Sequence, residues 1–251
     1  MLGVSFKLLL ASASPRRRAI MTALGFSFEV VALDLSEEAE AGEEPQATAE
    51  RLARAKAVAA ARPGRVTVGA DTVVELGGRA LGKPRSEAEA ASMLRALRGT
   101  EHRVITAVAV AMLAPAPILR DSTQALVAHN SSSASSGVES GLADLSSVAQ
   151  VWSESSVARV WMRAYTDAEI ARYISSGDPF DKAGAYAIQN EELHPVERVE
   201  GCRLTVVGLP PPELFRLLAA VGMTLPTVNG GDLRRLCQGC IDEDRLLTGG
   251  G

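Results

Sequence analysis

An α/β fold with a mixed sheet is what this sequence predicts. Segments rich in β-branched residues alternate with segments of helical periodicity, which asks for crossover connections and parallel pairing. Gly77-Gly78, set between two such strands, asks instead for a hairpin and an antiparallel pair. At 251 residues, with 47% apolar and 22% charged side chains, the chain can bury a core in one large domain or two small ones.

Lys7 to Ala11 reads as the first strand. Ser14 follows as an N-cap with Pro15 at the first helical position, Ile20, Ala23 and Leu24 recur at helical spacing, and Gly25 ends the helix. The acidic stretch Asp34 to Glu44 reads as a solvated loop. A helix is predicted from about Thr48 to Arg62, stopped by Pro63-Gly64, with Leu52, Ala55 and Ala59 on its packed face and Lys56 close by. Lys56 is either a site residue or a lysine snorkelling at the core edge. Arg65 to Leu76 is a β-branched strand interrupted at Gly69-Ala70-Asp71, and its hairpin returns through Arg79 to Lys83.

Ser86 to Glu89 spells a capping box for a helix ending at Gly99, and the apolar run from His102 is long enough for a central strand. From about Ala114 to Gln150 the periodicity disappears, and "NSSSASSGVESG" has the composition of a disordered loop. A strand resumes over Val151 to Trp161. Thr166 to Glu169 opens a helix running to about Ser176, and Gly177 to Gln189 is a loop rich in glycine and charge. Cys202 to Leu209 reads as a strand and Pro211 to Val221 as the closing helix, leaving a polar tail over 227–251.

A net charge of −4 argues against general nucleic-acid binding, so any phosphate affinity has to be local. No apolar stretch approaches the length of a membrane span. Three cysteines do not make a disulfide framework, and the C-x-x-C of Cys237 and Cys240 lacks the second pair a structural zinc needs. Reduced thiols in the cytoplasm are the expectation.

The stretch "SASPRRR" places Arg16, Arg17 and Arg18 in the first turn of a helix, where the macrodipole disfavours each cation by roughly 0.3–1 kcal/mol. An anion reverses that penalty. Free N–H groups, the hydroxyls of Ser12 and Ser14 and a guanidinium together suit a phosphate. Successive helical side chains point about 100° apart, so at least one arginine is only a solvated charge. A transit peptide is a competing reading, since no acid precedes Glu29.

"GGRALGK", Gly77 to Lys83, matches the start of a P-loop, but Pro84 stands where a hydroxyl must hold Mg²⁺. A P-loop ATPase is therefore excluded. Asp71 is either a strand-end acid or a carboxylate held against a partner, and Gly69 leaves room for a close approach, which favours a ligand. Arg16, Lys56, Lys83 and Lys182 with Asp71 and Asp181 are the groups that metal-assisted attack on a phosphate ester requires. Periodicity alone does not bring them into one cleft.

"LLLASASPRR", "GADTVVEL", "LGKP", "DPFDKAGAYAIQ" and "VVGLP" occur in the order and at about the spacing of the Maf family of nucleoside triphosphate pyrophosphatases, which the chain resembles. The resemblance spans the chain apart from its first few residues, the central insertion and the tail, and it disfavours the transit peptide. It implies an elongated mixed sheet flanked by helices, with two lobes around a deep cleft, of the Maf and inosine triphosphatase-like type. A single catalytic domain over 1–226, with a serine-rich insertion at about 114–150, then precedes the tail at 227–251.

The implied reaction converts a nucleoside triphosphate to the monophosphate and pyrophosphate with a divalent cation, Mg²⁺ or Mn²⁺. Asp71 resembles the acid that accepts the proton of the attacking water, with Lys56, Lys83, Lys182 and Asp181 beside it. Ser12, Ser14, Arg16 and Arg17 resemble the phosphate-binding turn, and Glu37 or Glu38 joins Asp71 at the metal. Arg16, Thr72 and Gln189 match the positions of members that act on dTTP and UTP, where members acting on 7-methyl-GTP carry Trp, Gln and Glu. A neutral amide suits a pyrimidine edge, and a carboxylate suits a cationic methylated purine.

Asn190-Glu191-Glu192 departs from the glycine-rich turn that usually follows the loop glutamine. The expected partners are the nucleotide and, as an assembly the resemblance admits, a second copy of the chain, with no nucleic acid and no membrane. Hydrolysis of 7-methyl-GTP and non-catalytic nucleotide sensing in cell division or septum formation are the alternatives.

Overall fold

A computed structural model describes residues 7–113 and 149–227. The chain runs β1 (Lys7–Leu10), α1 (Pro15–Ala23), β2 (Phe28–Val30), α2 (Pro45–Ala59), β3 (Arg65–Leu76), β4 (Arg79–Leu81), α3 (Glu87–Leu97) and β5 (Glu101–Leu113). It continues through β6 (Ala149–Met162), α4 (Asp167–Ser175), 3-10 turns at Asp178–Asp181 and Ala183–Ala185, β7 (Val196–Glu200), α5 (Arg203–Val207) and α6 (Pro211–Ala220). Among the described residues, no helix is long and apolar enough to cross a membrane.

Seven strands form one open sheet in the order β2-β1-β3-β5-β6-β7, with β4 also paired to β3. β1 lies parallel to β2 and β3, while every other pair is antiparallel, which is the mixed sheet expected. The site follows from this pairing. One edge of β3 is covered by β5 from Val66 to Glu75. Along the other edge β1 pairs with Arg65 to Val68 and β4 with Val74 to Leu76. Between those two partners, Gly69 to Val73 face a notch, and side chains from both faces of β3 can reach it.

β5 is the central strand, and its alternation explains the layers. Val104, Val108 and Val110 join the large core, which α1, α3, α4 and α6 cover. Ile105, Ala107, Ala109 and Ala111 face the opposite way, against Ala49, Ala53 and Ala57 of α2. Alanine on both surfaces lets α2 lie close to the sheet. Gly69 is the nearest point, because a Cβ there would fall 2.6 Å from the backbone N of Ala57. The group that approaches Gly69 is thus this helix and not a ligand, and β3 runs through Gly69-Ala70-Asp71 without interruption.

The caps form largely as their sequences suggest. Ser14 and Thr166 accept from the third helical N–H, and Glu169 closes a full capping box. Ser86 caps α3, but Glu89 reaches back to the N–H of Arg85 instead of that of Ser86. α2 begins at Pro45, three residues before the expected start, because proline at the first position needs no N–H partner.

The strand expected over Cys202 to Leu209 is instead the single-turn helix α5. Its β-branched residues favour a strand only weakly. Gly208, at φ +116°, closes the turn by donating to Leu204 O, and Leu204, Thr205 and Val207 are buried. β2 and β7, three and five residues long, had no expected counterpart, and β6 already starts at Ala149. Most of the serine-rich segment, the tail beyond Thr227, and Cys237 and Cys240 lie outside the described residues.

Candidate active site

The notch beside β3 opens into a cleft of about 350 Å³. Five cations line it, Arg16, Arg17, Lys56, Lys83 and Lys182, against the acids Glu37, Asp71 and Asp181. In a chain of net charge −4 this is a locally cationic surface. Ser12, Ser14, Thr72 and Gln189 line the same cleft, so the fold gathers these scattered segments at one place.

The turn between β1 and α1 is wired around Arg17. Its Nε donates to Gly208 O at 2.8 Å, one terminal nitrogen to Ser12 Oγ at 3.3 Å and the other to Thr72 Oγ1 at 3.2 Å. Thr106 donates to Thr205 O at 2.6 Å, so the 2.9 Å contact between Thr72 and Thr106 needs the Thr72 hydroxyl as donor. Thr72 is therefore committed on both sides and serves to hold Arg17. A guanidinium has five N–H donors, of which two remain for a ligand. Among the described residues Arg17 has no carboxylate within 4 Å, and burial lowers its pKa more than Asp71 and Glu37 raise it.

Ser12 accepts from the N–H of Ser14 and from Arg17, and Ser14 accepts from the N–H of Arg17 at 3.4 Å. Both hydroxyls act as acceptors there, leaving their O–H groups to donate. Arg16 reaches across the cleft to Asp181 at 3.5 Å, while Arg18 points to solvent. The three arginines thus divide into a bridging, a half-buried and tethered, and a solvated one.

On the β3 wall, α2 delivers Lys56, which is buried and not snorkelling. Its Nζ donates to Asp71 Oδ1 at 2.6 Å and to Glu37 Oε1 at 2.5 Å. Glu37 Oε2 accepts from Lys83, which follows β4, so one carboxylate bridges two lysines. Glu38 turns outward to Arg85 and takes no part. Burial raises the pKa of Asp71 and outweighs the opposing charges of Lys56 and Arg17. Burial also raises Glu37, but the two lysines overcome it and hold that carboxyl at about 2.

On the opposite wall Lys182 donates to Asp178 O at 2.5 Å, Asp178 Oδ1 at 2.8 Å and Asp181 Oδ1 at 2.5 Å. Asp178 was not among the expected site residues, although it stands in the same "DPFDK" segment. Gly208 and Thr106 were missed too, because Gly208, although it stands in "VVGLP", acts through its backbone carbonyl, and a mid-strand hydroxyl such as that of Thr106 leaves no motif.

A divalent cation fits what is present. Mg²⁺ is usually held by one or two carboxylates together with substrate phosphates. Asp71 and Glu37 supply two hard oxygen ligands flanking Lys56, and Asp71 Oδ2 has no hydrogen bond among the described residues. No group of three or more His, Cys, Asp or Glu side chains among those residues forms a metal cage, so a cation there would have to share oxygens of a bound phosphate ligand.

Comparison with known proteins agrees with this geometry. The model for Maf-like proteins matches residues 7–221. A dTTP/UTP pyrophosphatase of Thermomicrobium roseum is 41% identical over 236 residues, covering 93% of this chain and 92% of its own. Proteins of the same name from Chromobacterium violaceum and Anaeromyxobacter dehalogenans are 39% and 42% identical, each over 88% of this chain and 97% and 96% of theirs. With the motifs, the notch and these likenesses in agreement, the chain belongs to the Maf family.

Proposed function

We propose that this protein hydrolyses dTTP and UTP to the nucleoside monophosphate and pyrophosphate. The observation that carries the reading is Asp71, buried in the notch with Oδ2 open, facing a cleft with more cations than acids. The names of its relatives point the same way.

The triphosphate lies among Arg17, Lys56, Lys83 and Lys182, with the Ser12 and Ser14 hydroxyls donating to its oxygens. Water attacks the α-phosphorus, the bond to the bridging oxygen breaks, and pyrophosphate leaves. Asp71 Oδ2 takes the water's proton, a role that its raised proton affinity suits. Arg17 and the lysines meet charge developing on the phosphoryl oxygens and the leaving group. Asp71 and Glu37 would hold Mg²⁺ or Mn²⁺, which when bound neutralises phosphate charge. The Gln189 amide, with no hydrogen bond among the described residues, offers a donor and an acceptor to a pyrimidine edge.

Pyrophosphate release from a panel of dTTP, UTP, CTP, the purine triphosphates and 7-methyl-GTP, with Mg²⁺ or Mn²⁺, tests the reading. Release that is fastest from dTTP and UTP is expected. No release from any nucleotide overturns the enzyme, and release from 7-methyl-GTP alone overturns the pyrimidine assignment.

A further inference from the structure

Behind the Lys182 wall, Asp178 collects hydrogen bonds that a phosphate site alone does not need. Its Oδ1 holds Lys182, and its Oδ2 accepts from Tyr173 at 2.7 Å and from Asn190 Nδ2 at 3.3 Å. The Tyr173 hydroxyl in turn accepts from the N–H of Ala187 at 3.1 Å. Asn190 Oδ1 accepts from the N–H of Leu193 at 2.7 Å. Ala187 and Asn190 flank the segment that carries Gln189, so both of its ends are tied to the carboxylate that orients Lys182. Asn190 itself does not line the cleft.

We propose that Asp178 and Asn190 are positioning residues that couple the phosphate-facing lysine to the base-facing glutamine, so that base selectivity depends on the Asn190 to Asp178 hydrogen bond. This rests on the reading of Gln189 as the base contact. A nucleotide whose edge pairs with Gln189 draws on that bond, whereas one that pairs poorly does not. The bond should therefore be felt as discrimination between bases more than as turnover.

Asn190→Gly removes the side chain, and Asn190→Asp keeps its shape and the Leu193 contact while placing a second carboxylate against Asp178. Each is assayed for kcat and KM with UTP, CTP and GTP, beside wild type and a thermal melt. In both variants the kcat/KM preference for UTP is expected to fall about three- to tenfold, through KM, with kcat on UTP within threefold. Wild-type selectivity in both variants overturns the proposal, as does a loss of kcat and selectivity in step with the melting temperature. Wild-type protein that releases no pyrophosphate, or shows no base preference, instead overturns the reading of the site on which the coupling rests.

Discussion

On each wall of the cleft a buried lysine is held between two carboxylates, Lys56 by Asp71 and Glu37, and Lys182 by Asp178 and Asp181. The two trios differ through one acid, since Glu37 is 36% exposed and held low like the acids of the second wall, whereas Asp71 is withdrawn from water. The Asp71 side chain is 8% exposed, against 35% for Asp178 and 62% for Asp181. Burial raises all three pKa values, and at Asp71 it wins. At Asp178 and Asp181 the hydrogen bonds and charge of Lys182 win, and both stay below the usual carboxylate range. The same residue types thus give a carboxylate of raised proton affinity on one wall, as the proposed proton acceptor requires, and two carboxylates of lowered proton affinity holding a lysine on the other.

Replacing one acid at a time is the strongest way to break that contrast. Asp71→Asn preserves shape and removes the proposed base, so kcat for pyrophosphate release should fall ~10²-fold or more. Asp181→Asn removes an exposed partner of Lys182 and Arg16, and such pairs are worth about 0–1 kcal/mol, so less than a tenfold change is expected. Equal losses from the two substitutions would show that the walls do the same work.

Much of the first wall is legible in the sequence, because its parts carry local signals. Serine caps, Pro15, the Gly77-Gly78 hairpin and the β-branched run of β3 each report their own conformation, and the motifs supply the chemistry. The contact that assembles the wall is less legible. Gly69 marks a close approach, yet only the packed alanines of α2 and β5 show that a helix fills the space. The second wall lies in short 3-10 turns whose hydrogen bonds run to α4 and to Asn190, so Asp178 passes for one more loop acid. β2, β7 and α5 are too short for periodicity to register, and their form is set by what they pack against.

The second wall is joined to the sheet by a pair that acid should weaken. His102 Nε2 lies 2.7 Å from the Tyr186 hydroxyl, with the rings edge-on, and His102 Nδ1 is buried without a hydrogen bond. Burial lowers the His102 pKa from 6.5 to about 4. The unfolded chain takes up this proton below pH 6.5 and the folded one only near pH 4, so stability is full above 6.5 and falls as pH drops through that window. Glu37, held at about 2, adds its loss at lower pH, between 4.5 and 2. Urea unfolding should show a loss of about 2 kcal/mol from His102 between pH 7 and pH 5, and His102→Gln should remove that part of the slope. An unchanged slope in the variant would mean that this pair does not report the anchoring of the second wall.

The smallest expected effect separates the arginine that belongs to neither wall from the two that do. Arg18 stands in the first turn of α1, exposed, with no carboxylate within 4 Å among the described residues. Its charge opposes the helix dipole without the compensation a bound phosphate gives. Arg18→Ala should raise stability by a few tenths of a kcal/mol, since alanine also favours the helix, and leave kcat and KM for dTTP unchanged. Arg17, whose guanidinium links Ser12, Thr72 and Gly208, has the opposite signature, because its loss unties β1, β3 and the end of α5. A rise in KM for Arg18→Ala comparable to that for Arg17→Ala would place Arg18 at the triphosphate and overturn the division of the three arginines.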